Sequence, residues 1–388
     1  MARKVKNKKG KVRSRLTRMG WVFLIITMVV GVAAVKTQTS LVYLFFGAMV
    51  GALVVSSVMA RQMVAGIELR RDVSGRAWQN QTVHLGYYLR NTRWQGSCLG
   101  ITVSEVAPAG IQGASGYCVH LPPRQVFRSG ARFVSRRRGR ILLRKNRVRS
   151  SFPFGLVEAY RFFDQENSIV VWPARGMLKR QLLNRGAVET STAAPSLVSG
   201  GQDEFFGLRE YRVDDNPRWI HWRKSAGRTV PIVREMSHPL PEILYIVLDT
   251  YCSDASQVAI VGREKLLRFA ATVIDHAFTK GYQVGLALAY DRQVLVLHAQ
   301  SGQGPRCRLL DALADVDLNQ RRTIDDVVSG MNRRLLSKAQ VLVLTQKVSQ
   351  LDHGAIESLR AASRHIDVLH LDRLEKFFDD DPLAGGVS

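Results

Sequence analysis

The chain has 388 residues, with 56 Lys and Arg against 32 Asp and Glu, for a formal charge of +24. Its 46% apolar and 23% charged composition excludes a wholly disordered or collagen-like chain, and its length asks for two or three folding units. Divided along the chain, the charge is +9 in residues 1–18, +1 in 19–60, +15 in 61–180 and −1 in 181–388. Basicity confined to one half is a weaker sign of nucleic-acid binding than the total suggests, and an anionic membrane surface is the other usual partner.

Two apolar runs follow the basic tail of residues 1–18. Met19 to Val35 has 17 residues and Leu41 to Ala60 has 20, and neither holds a charge. At about 1.5 Å per residue each reaches across a hydrocarbon core of roughly 30 Å, the first barely. Lys36 to Ser40 suffices only for a turn, so residues 19–60 are predicted to form a transmembrane helical hairpin with both ends in one compartment. Nine basic residues precede it, Lys36 alone lies in the turn, and Arg61, Arg70 and Arg71 follow. The positive-inside rule then places both termini in the cytoplasm of a multi-pass inner-membrane protein. A cleaved signal peptide is the competing reading; the long basic tail, the run straight into Lys36 and the immediate second span argue against it.

Residues 61–183 show short apolar stretches punctuated by Gly, Asn, Ser and Pro, as in Thr82 to Leu89, Leu99 to Val103 and Ser168 to Trp172. That texture predicts a small antiparallel β-sandwich. Within it, Arg128 to Arg149 holds ten Lys and Arg in 22 residues and no acid. A solvated strand face is the plain account. Because the membrane lies just upstream, Arg136, Arg137, Arg138, Arg140, Arg144 and Lys145 are expected to face anionic lipid, at roughly 1 kcal/mol each; no nucleic-acid motif or aromatic stacking run accompanies them. Cys98, Cys118, Cys252 and Cys307 have neither C-x-x-C nor zinc spacing and are expected to be free thiols in a reducing cytosol.

Residues 184–203 are small and polar and read as a linker. Residues 204–388 then alternate strand and helix: strand Glu242 to Leu248, helix Arg263 to Lys280, strands Tyr282 to Ala289 and Val294 to Leu297, helices Arg306 to Ala314 and Ile324 to Leu336, strand Val341 to Thr345, helix Ala355 to Arg364 and strand Asp367 to Leu371. This order predicts a largely parallel sheet covered by helices, with a site at the carboxyl edge of its strands.

No phosphate loop, H-E-x-x-H, G-x-S-x-G or post-strand G-x-G-x-x-G is present. The most unusual segment is Glu204 to Arg228, which concentrates acids, bases, His and aromatics. Its G-x-R-x-Y, acidic pair, R-x-I-H-W and S-A pattern falls on Gly207, Arg209, Glu210, Tyr211, Asp214, Asp215, Arg218, Ile220, His221, Trp222, Ser225 and Ala226. The segment closely resembles the hallmark of the bacterial family known as domain of unknown function 58 (DUF 58). Arg138-Gly139, the Pro153 to Leu156 turn, Val171 to Pro173 and the two spans resemble that family too. One departure is that Arg212-Val213 stands where the family commonly has Pro-Gly. The bland account is a polar network in which Arg209, Glu210, Asp215, Arg218 and His221 satisfy one another beside Tyr211 and Trp222; the functional one is a partner or ligand site.

Asp249-Thr-Tyr-Cys-Ser253 ends the first strand of the α/β half. It resembles the D-x-S-x-S metal-ion-dependent adhesion motif of von Willebrand factor A domains, whose hard oxygen ligands suit Mg²⁺. Tyr251 replaces the middle hydroxyl, and Gln346 stands where that fold usually presents an Asp, so only Asp249 and Ser253 match. A degenerate, unoccupied site without cofactor is expected.

The resemblances imply a non-enzymatic, membrane-anchored scaffold or adaptor with a von Willebrand A-like domain. Its implied partners are a MoxR-type AAA+ ATPase and a transglutaminase-like membrane protein, in envelope assembly, maturation or stress response. The alternative is a hydrolase or transferase using Asp214, Asp215 and His221 as acid and base groups.

Overall fold

The computed structural model describes residues 8–106, 115–179, 197–212, 217–227, 229–239, 242–251, 256–290, 293–316, 323–346 and 353–379. It is a mixed α/β protein with an N-terminal pair of apolar helices and several sheets. The chain divides into two compact units, Met1–Ala174 with Leu313–Asp315, and Arg175–Ala312 with Val316–Ser388.

The first unit begins inside the basic tail. β1 (Lys8–Lys9) and β2 (Arg13–Leu16) lie antiparallel to a later strand, β10. In β2, Arg13 and Arg15 are exposed and alternate with half-buried Ser14 and Leu16, a period of two that lets a charged segment serve as an edge strand. α1 (Arg18–Thr37) follows at once. Thr17 caps it, accepting from the Gly20 N–H at 2.9 Å and donating to the Gly155 carbonyl at 2.6 Å, while its own N–H donates to the Leu156 carbonyl at 3.0 Å. The approach is so close that a Cβ on Gly20 would lie 2.0 Å from the Leu156 oxygen; only Gly fits there.

α2 (Ser40–Ala65) pairs with α1, and Gly31 admits the Phe46 ring between them. Both helices are long and apolar enough to cross a membrane. Their large side chains face outward: Met28 is 74% exposed, Leu41 77% and Leu44 73%. α2 runs five residues beyond the apolar run read from hydropathy. Arg61 and Gln62 stay exposed while Ala60, Met63 and Val64 are buried, so the last turns are amphipathic rather than uniformly apolar.

Those three residues enter the core of the β-structure that follows: β3 (Ile67–Val73), β4 (Arg76–Trp78), β5 (Thr82–Asn91), β6 (Cys98–Glu105), β7 (Ser115–Leu121), β8 (Val126–Val134), β9 (Gly139–Ser150) and β10 (Val157–Trp172). β3, β5 and β8 form an antiparallel sheet; β1, β2, β10, β9, β6, β7 and β4 form a second, antiparallel but for the β4–β10 pair. One core draws on both, including Ile67, Leu89, Ile101, Val148 and Phe163. Arg161 ties the tail to the helix end, donating to the Gly10 and Ala65 carbonyls. Cys98 and Cys118 are buried free thiols whose pKa values burial pushes up.

The inward phase of these strands also carries charge. Arg71 and Glu105 have side chains 0% and 2% exposed and form a two-pronged ion pair at 3.0 and 2.7 Å. Arg71 also donates to the Leu143 and Gln165 carbonyls and to Asn146 and Asn167. Glu105 accepts from Tyr87 and Asn146 as well, and burial beside this carboxylate raises the Tyr87 phenol pKa. The network stitches β3, β5, β6, β9 and β10 together.

In the second unit β11 (Met177–Leu178) pairs with a late strand, and β12 (Leu197–Glu210) begins inside the segment expected as linker, whose residues 184–196 lie outside the described residues. α3 (Trp222–Ser225) and β13 (Ile232–Pro239) follow. Then come β14 (Ile243–Leu248), α4 (Gln257–Thr279), β15 (Gln283–Tyr290), β16 (Gln293–Gln300), α5 (Gln303–Asp315), α6 (Ile324–Ser329), α7 (Arg333–Leu336), β17 (Ala339–Thr345), α8 (His353–Ala362), β18 (His365–His370), α9 (Leu371–Leu374) and β19 (Phe378–Asp379), the partner of β11. The helix expected over Ile324 to Leu336 is interrupted at Gly330, a helix C-cap. The main sheet has the order β16-β15-β14-β17-β18, parallel except for antiparallel β16 at its edge.

Removing one partner of a buried ion pair costs about 3–5 kcal/mol, whereas replacing both by apolar groups costs far less. Arg71→Met should therefore destabilise the full chain strongly in a denaturant titration, and Arg71→Met with Glu105→Leu should recover most of the loss. Equal destabilisation by the single and double variants would contradict this account of the network.

Candidate functional site

The hallmark residues occupy one β-hairpin and its tip. β12 and β13 pair antiparallel, with Arg209 opposite Val233 and Glu210 opposite Ile232, and bulges interrupt the ladder where Glu204 and Gly207 join it. Beyond Glu210 the chain folds back on the start of β13. The Tyr211 N–H donates to the Pro231 carbonyl at 2.8 Å, Ile220 bridges to Val233, and the His221 N–H donates to the Ile232 carbonyl at 2.7 Å. Pro217 to Trp219 form one 3-10 turn, a start that suits a residue without an N–H.

His221 and Ser225 have defined structural duties. The His221 Nδ1 accepts from the Lys224 N–H at 3.4 Å at the start of α3. The Ser225 hydroxyl accepts from the buried Ile232 N–H at 2.8 Å and donates to the His221 carbonyl at 3.1 Å. The hydroxyl thus satisfies a strand-initial amide that no sheet partner reaches. The network expected among Arg209, Glu210, Asp215, Arg218 and His221 reaches, through Asp215, beyond the described residues. Arg209 donates to the Glu210 carbonyl, Glu210 and Arg218 are exposed, Tyr211 is half-buried, and Trp222 is 70% exposed. Asp214 and Asp215 lie outside the described residues. The tip therefore presents Arg218, Trp222, Arg223 and Lys224 to solvent, on a hydrogen-bonded backbone.

The second candidate lies at the carboxyl edge of β14. Asp249 is 5% exposed. Its Oδ1 accepts from the Tyr251 N–H at 3.0 Å and its Oδ2 from the Thr345 hydroxyl at 2.8 Å, so both oxygens meet protein donors. Burial raises the Asp249 pKa; those hydrogen bonds and Arg263 oppose the rise, and the Asp325 carboxylate adds to it. Gln346 turns away to donate to the Ala259 carbonyl of α4 at 2.8 Å. Ser253 lies outside the described residues. Among the described residues no three His, Cys, Asp or Glu side chains gather as a metal site would require.

The six basic residues expected to face lipid sit on the β8–β9 link and on β9. All but half-buried Arg138 are exposed, and Lys145 lies 3.9 Å from Asp164. Arg136 and Gly139 mark the end of β9 remote from the hairpin: the Arg136 carbonyl accepts from Gln79, while Ser150, at the other end, leads into the turn that binds the cap of α1. At about 3.3 Å per residue those ends are ~36 Å apart, several times the Debye length of about 8 Å. Arg144 and Lys145, midway along β9, lie about half that distance from the Ser150 end. Sequence reasoning also missed the Arg71–Glu105 pair, although each stands on the apolar phase of its strand, after Ile67 and Leu69 and after Ile101 and Val103.

Comparison with known proteins agrees with the hallmark. Residues 207–381 match the family model described as Protein of unknown function DUF58. That match starts at Gly207 and takes in the tip, the parallel sheet and Asp249. The chain is also 22% identical over 141 residues to the Uncharacterized protein YeaD of Bacillus subtilis (strain 168), a stretch covering 36% of this chain and 34% of that protein. The chain thus matches about a third of that relative's length.

Because the folded pKa of Asp249 lies above its unfolded value, its contribution to stability is present below the ordinary carboxylate range, near about 3.9, and is lost as pH rises through the raised value. Asp249→Asn, which mimics the neutral form, should melt higher than the native chain at about pH 8, with the gap closing toward about pH 4. A gap that widens on acidification would reverse the sign and contradict the burial account.

Proposed function

We propose that this protein is a membrane-anchored adaptor whose α/β unit binds a partner protein through the hallmark tip. The observation that carries the reading is the exposure of Trp222, followed by exposed Arg223 and Lys224, on a hydrogen-bonded, short-range scaffold. Exposed Trp and Arg on rigid backbone are the residue types that dominate binding energy at protein interfaces. His221 is engaged as a helix cap and Ser225 as a strand amide's partner, which favours a binding surface over an acid–base pair.

The apolar pair is read as a transmembrane hairpin with both termini cytoplasmic, on the strength of its exposed apolar surface and the charge asymmetry around it. The first unit is read as a β-sandwich, since its two sheets share one core. The second is read as von Willebrand A-like, because four parallel strands with one antiparallel edge strand carry Asp249 at the carboxyl edge of the central strand. The partner-binding face is assigned to the tip, where Trp222 is exposed. The partner proposed is a MoxR-type AAA+ ATPase acting with a transglutaminase-like membrane protein in envelope assembly or stress response. This assignment rests on the family resemblance.

Trp222→Ala in the full chain should lower co-purification of the ATPase by about tenfold or more, the loss expected for an interface hot spot, while leaving the melting temperature unchanged. Arg136→Gln, in the first unit, should leave recovery intact. Undiminished recovery with Trp222→Ala would remove the tip as the binding surface.

A further inference from the structure

At the foot of the helix pair lies a groove of about 470 Å³, lined by Ser14, Arg15 and Leu16 of β2, Leu24 of α1, Leu53, Val54 and Ser57 of α2, and Val157. Its volume lies within the range of ordinary ligand sites. Its two ends differ chemically. Ser14, Arg15 and Ser57 form the polar end; Leu24, Leu53 and Val54 form apolar walls that continue the outward apolar surface of the helices.

The polar end is rich in cations. Arg61 donates from Nε to Ser14 Oγ at 3.2 Å. Arg15 pairs with Glu158 at 3.1 Å, and Arg149 approaches the other oxygen of the same carboxylate at 3.7 Å. Two guanidinium groups thus share one carboxylate and a third, that of Arg61, is bonded to Ser14, leaving an excess of positive charge beside the Ser14 and Ser57 hydroxyls. Arg15 itself remains 55% exposed. Guanidinium groups with hydroxyls are the donor set that a phosphodiester takes.

Depth fits the same ligand. Leu24 stands six residues into α1 from Arg18, and Leu53 eight residues from Arg61, or about 9 and 12 Å along the helix axes. A molecule with its phosphate among the arginines would therefore lay the top of an apolar chain against Leu24, Leu53 and Val54.

We propose that the groove seats one anionic phospholipid of the bilayer, its phosphate held by Arg15, Arg61 and the hydroxyls of Ser14 and Ser57, and the upper part of one acyl chain lying between α1 and α2. The inference rests on reading the helix pair as membrane-inserted and deepens it. It also replaces the basic stretch of Arg136 to Lys145 as the lipid-recognising element, with residues at the helix foot in its stead. Because Glu158 draws on both Arg15 and Arg149, the excess charge selects phosphatidylglycerol over the zwitterionic phosphatidylcholine.

The test uses the full chain, first floated with phosphatidylglycerol liposomes and then extracted in mild detergent for native mass spectrometry. The native chain should float and retain one phosphatidylglycerol. Arg61→Gln, which spares the Arg15–Glu158 pair, and Val54→Trp, which fills the apolar wall, should each still float, melt as the native chain does, and retain about tenfold less lipid. Arg136→Gln with Arg137→Gln should retain as much as the native chain. A chain that does not float overturns the membrane reading and this site with it. A chain that floats, yet retains lipid equally in the native, Arg61→Gln and Val54→Trp forms, overturns the groove alone. Equal retention of phosphatidylcholine, or displacement of the lipid by inorganic phosphate at low millimolar concentration, would likewise rule out an anionic phospholipid as the occupant.

Discussion

The last two turns of α2 serve two environments, and the first unit is organised around that fact. Ala60, Met63 and Val64 are core residues of the β-structure, packed with Ile67, Leu89 and Cys98, yet they continue without a break from an apolar helix whose earlier side chains face outward. A helix fixed in a core over two turns cannot swivel independently of it. α1 is fixed just as tightly, by the Thr17 cap against the Gly155 and Leu156 carbonyls and by the absence of a Cβ on Gly20. Both helices therefore leave the β-structure at set positions, and no hinge of loop residues separates them from it.

That constraint explains features with no evident purpose in isolation. The basic tail supplies β1 and β2, so the residues preceding α1 belong to a sheet and hold Arg15 beside Glu158. Arg161 reaches both the tail and the end of α2. The Arg71–Glu105 network lies just beyond, on the strand that α2 feeds. Each guanidinium N–H and carboxylate oxygen in that pair meets a partner, and both side chains are inaccessible to water. A buried pair of this kind is retained for geometry more than for net stability; here it links β3 to β6, β9 and β10, which belong to the opposite sheet.

Much of this was legible in the sequence, and what was not has physical causes. The parallel strands around β14 and β17 are continuous apolar runs, a pattern that survives any register, and their boundaries fall within a few residues of expectation. The hallmark identified the right segment through the spacing of Gly207, Arg209, Tyr211 and His221. That His221 and Ser225 also bond to backbone is something composition does not display. The foot of α2 was hidden because Arg61 and Gln62 end the hydropathy signal while amphipathic periodicity carries the helix on. The basic residues Arg136 to Lys145 are spread along a strand of twelve residues, an extension that sequence proximity to the apolar helices does not display.

The central claim is that α2 is a single rigid rod shared by the apolar pair and the β core. Amide hydrogen exchange across residues 56–67 of the full chain, reconstituted in a bilayer, tests it most directly. The account predicts that the amides of Met63, Val64 and Ala65 exchange as slowly as those of Leu69 in β3 and Val148 in β9. Fast exchange confined to residues 59–66, between a protected helix and a protected core, would mean that a flexible joint separates them and would contradict it.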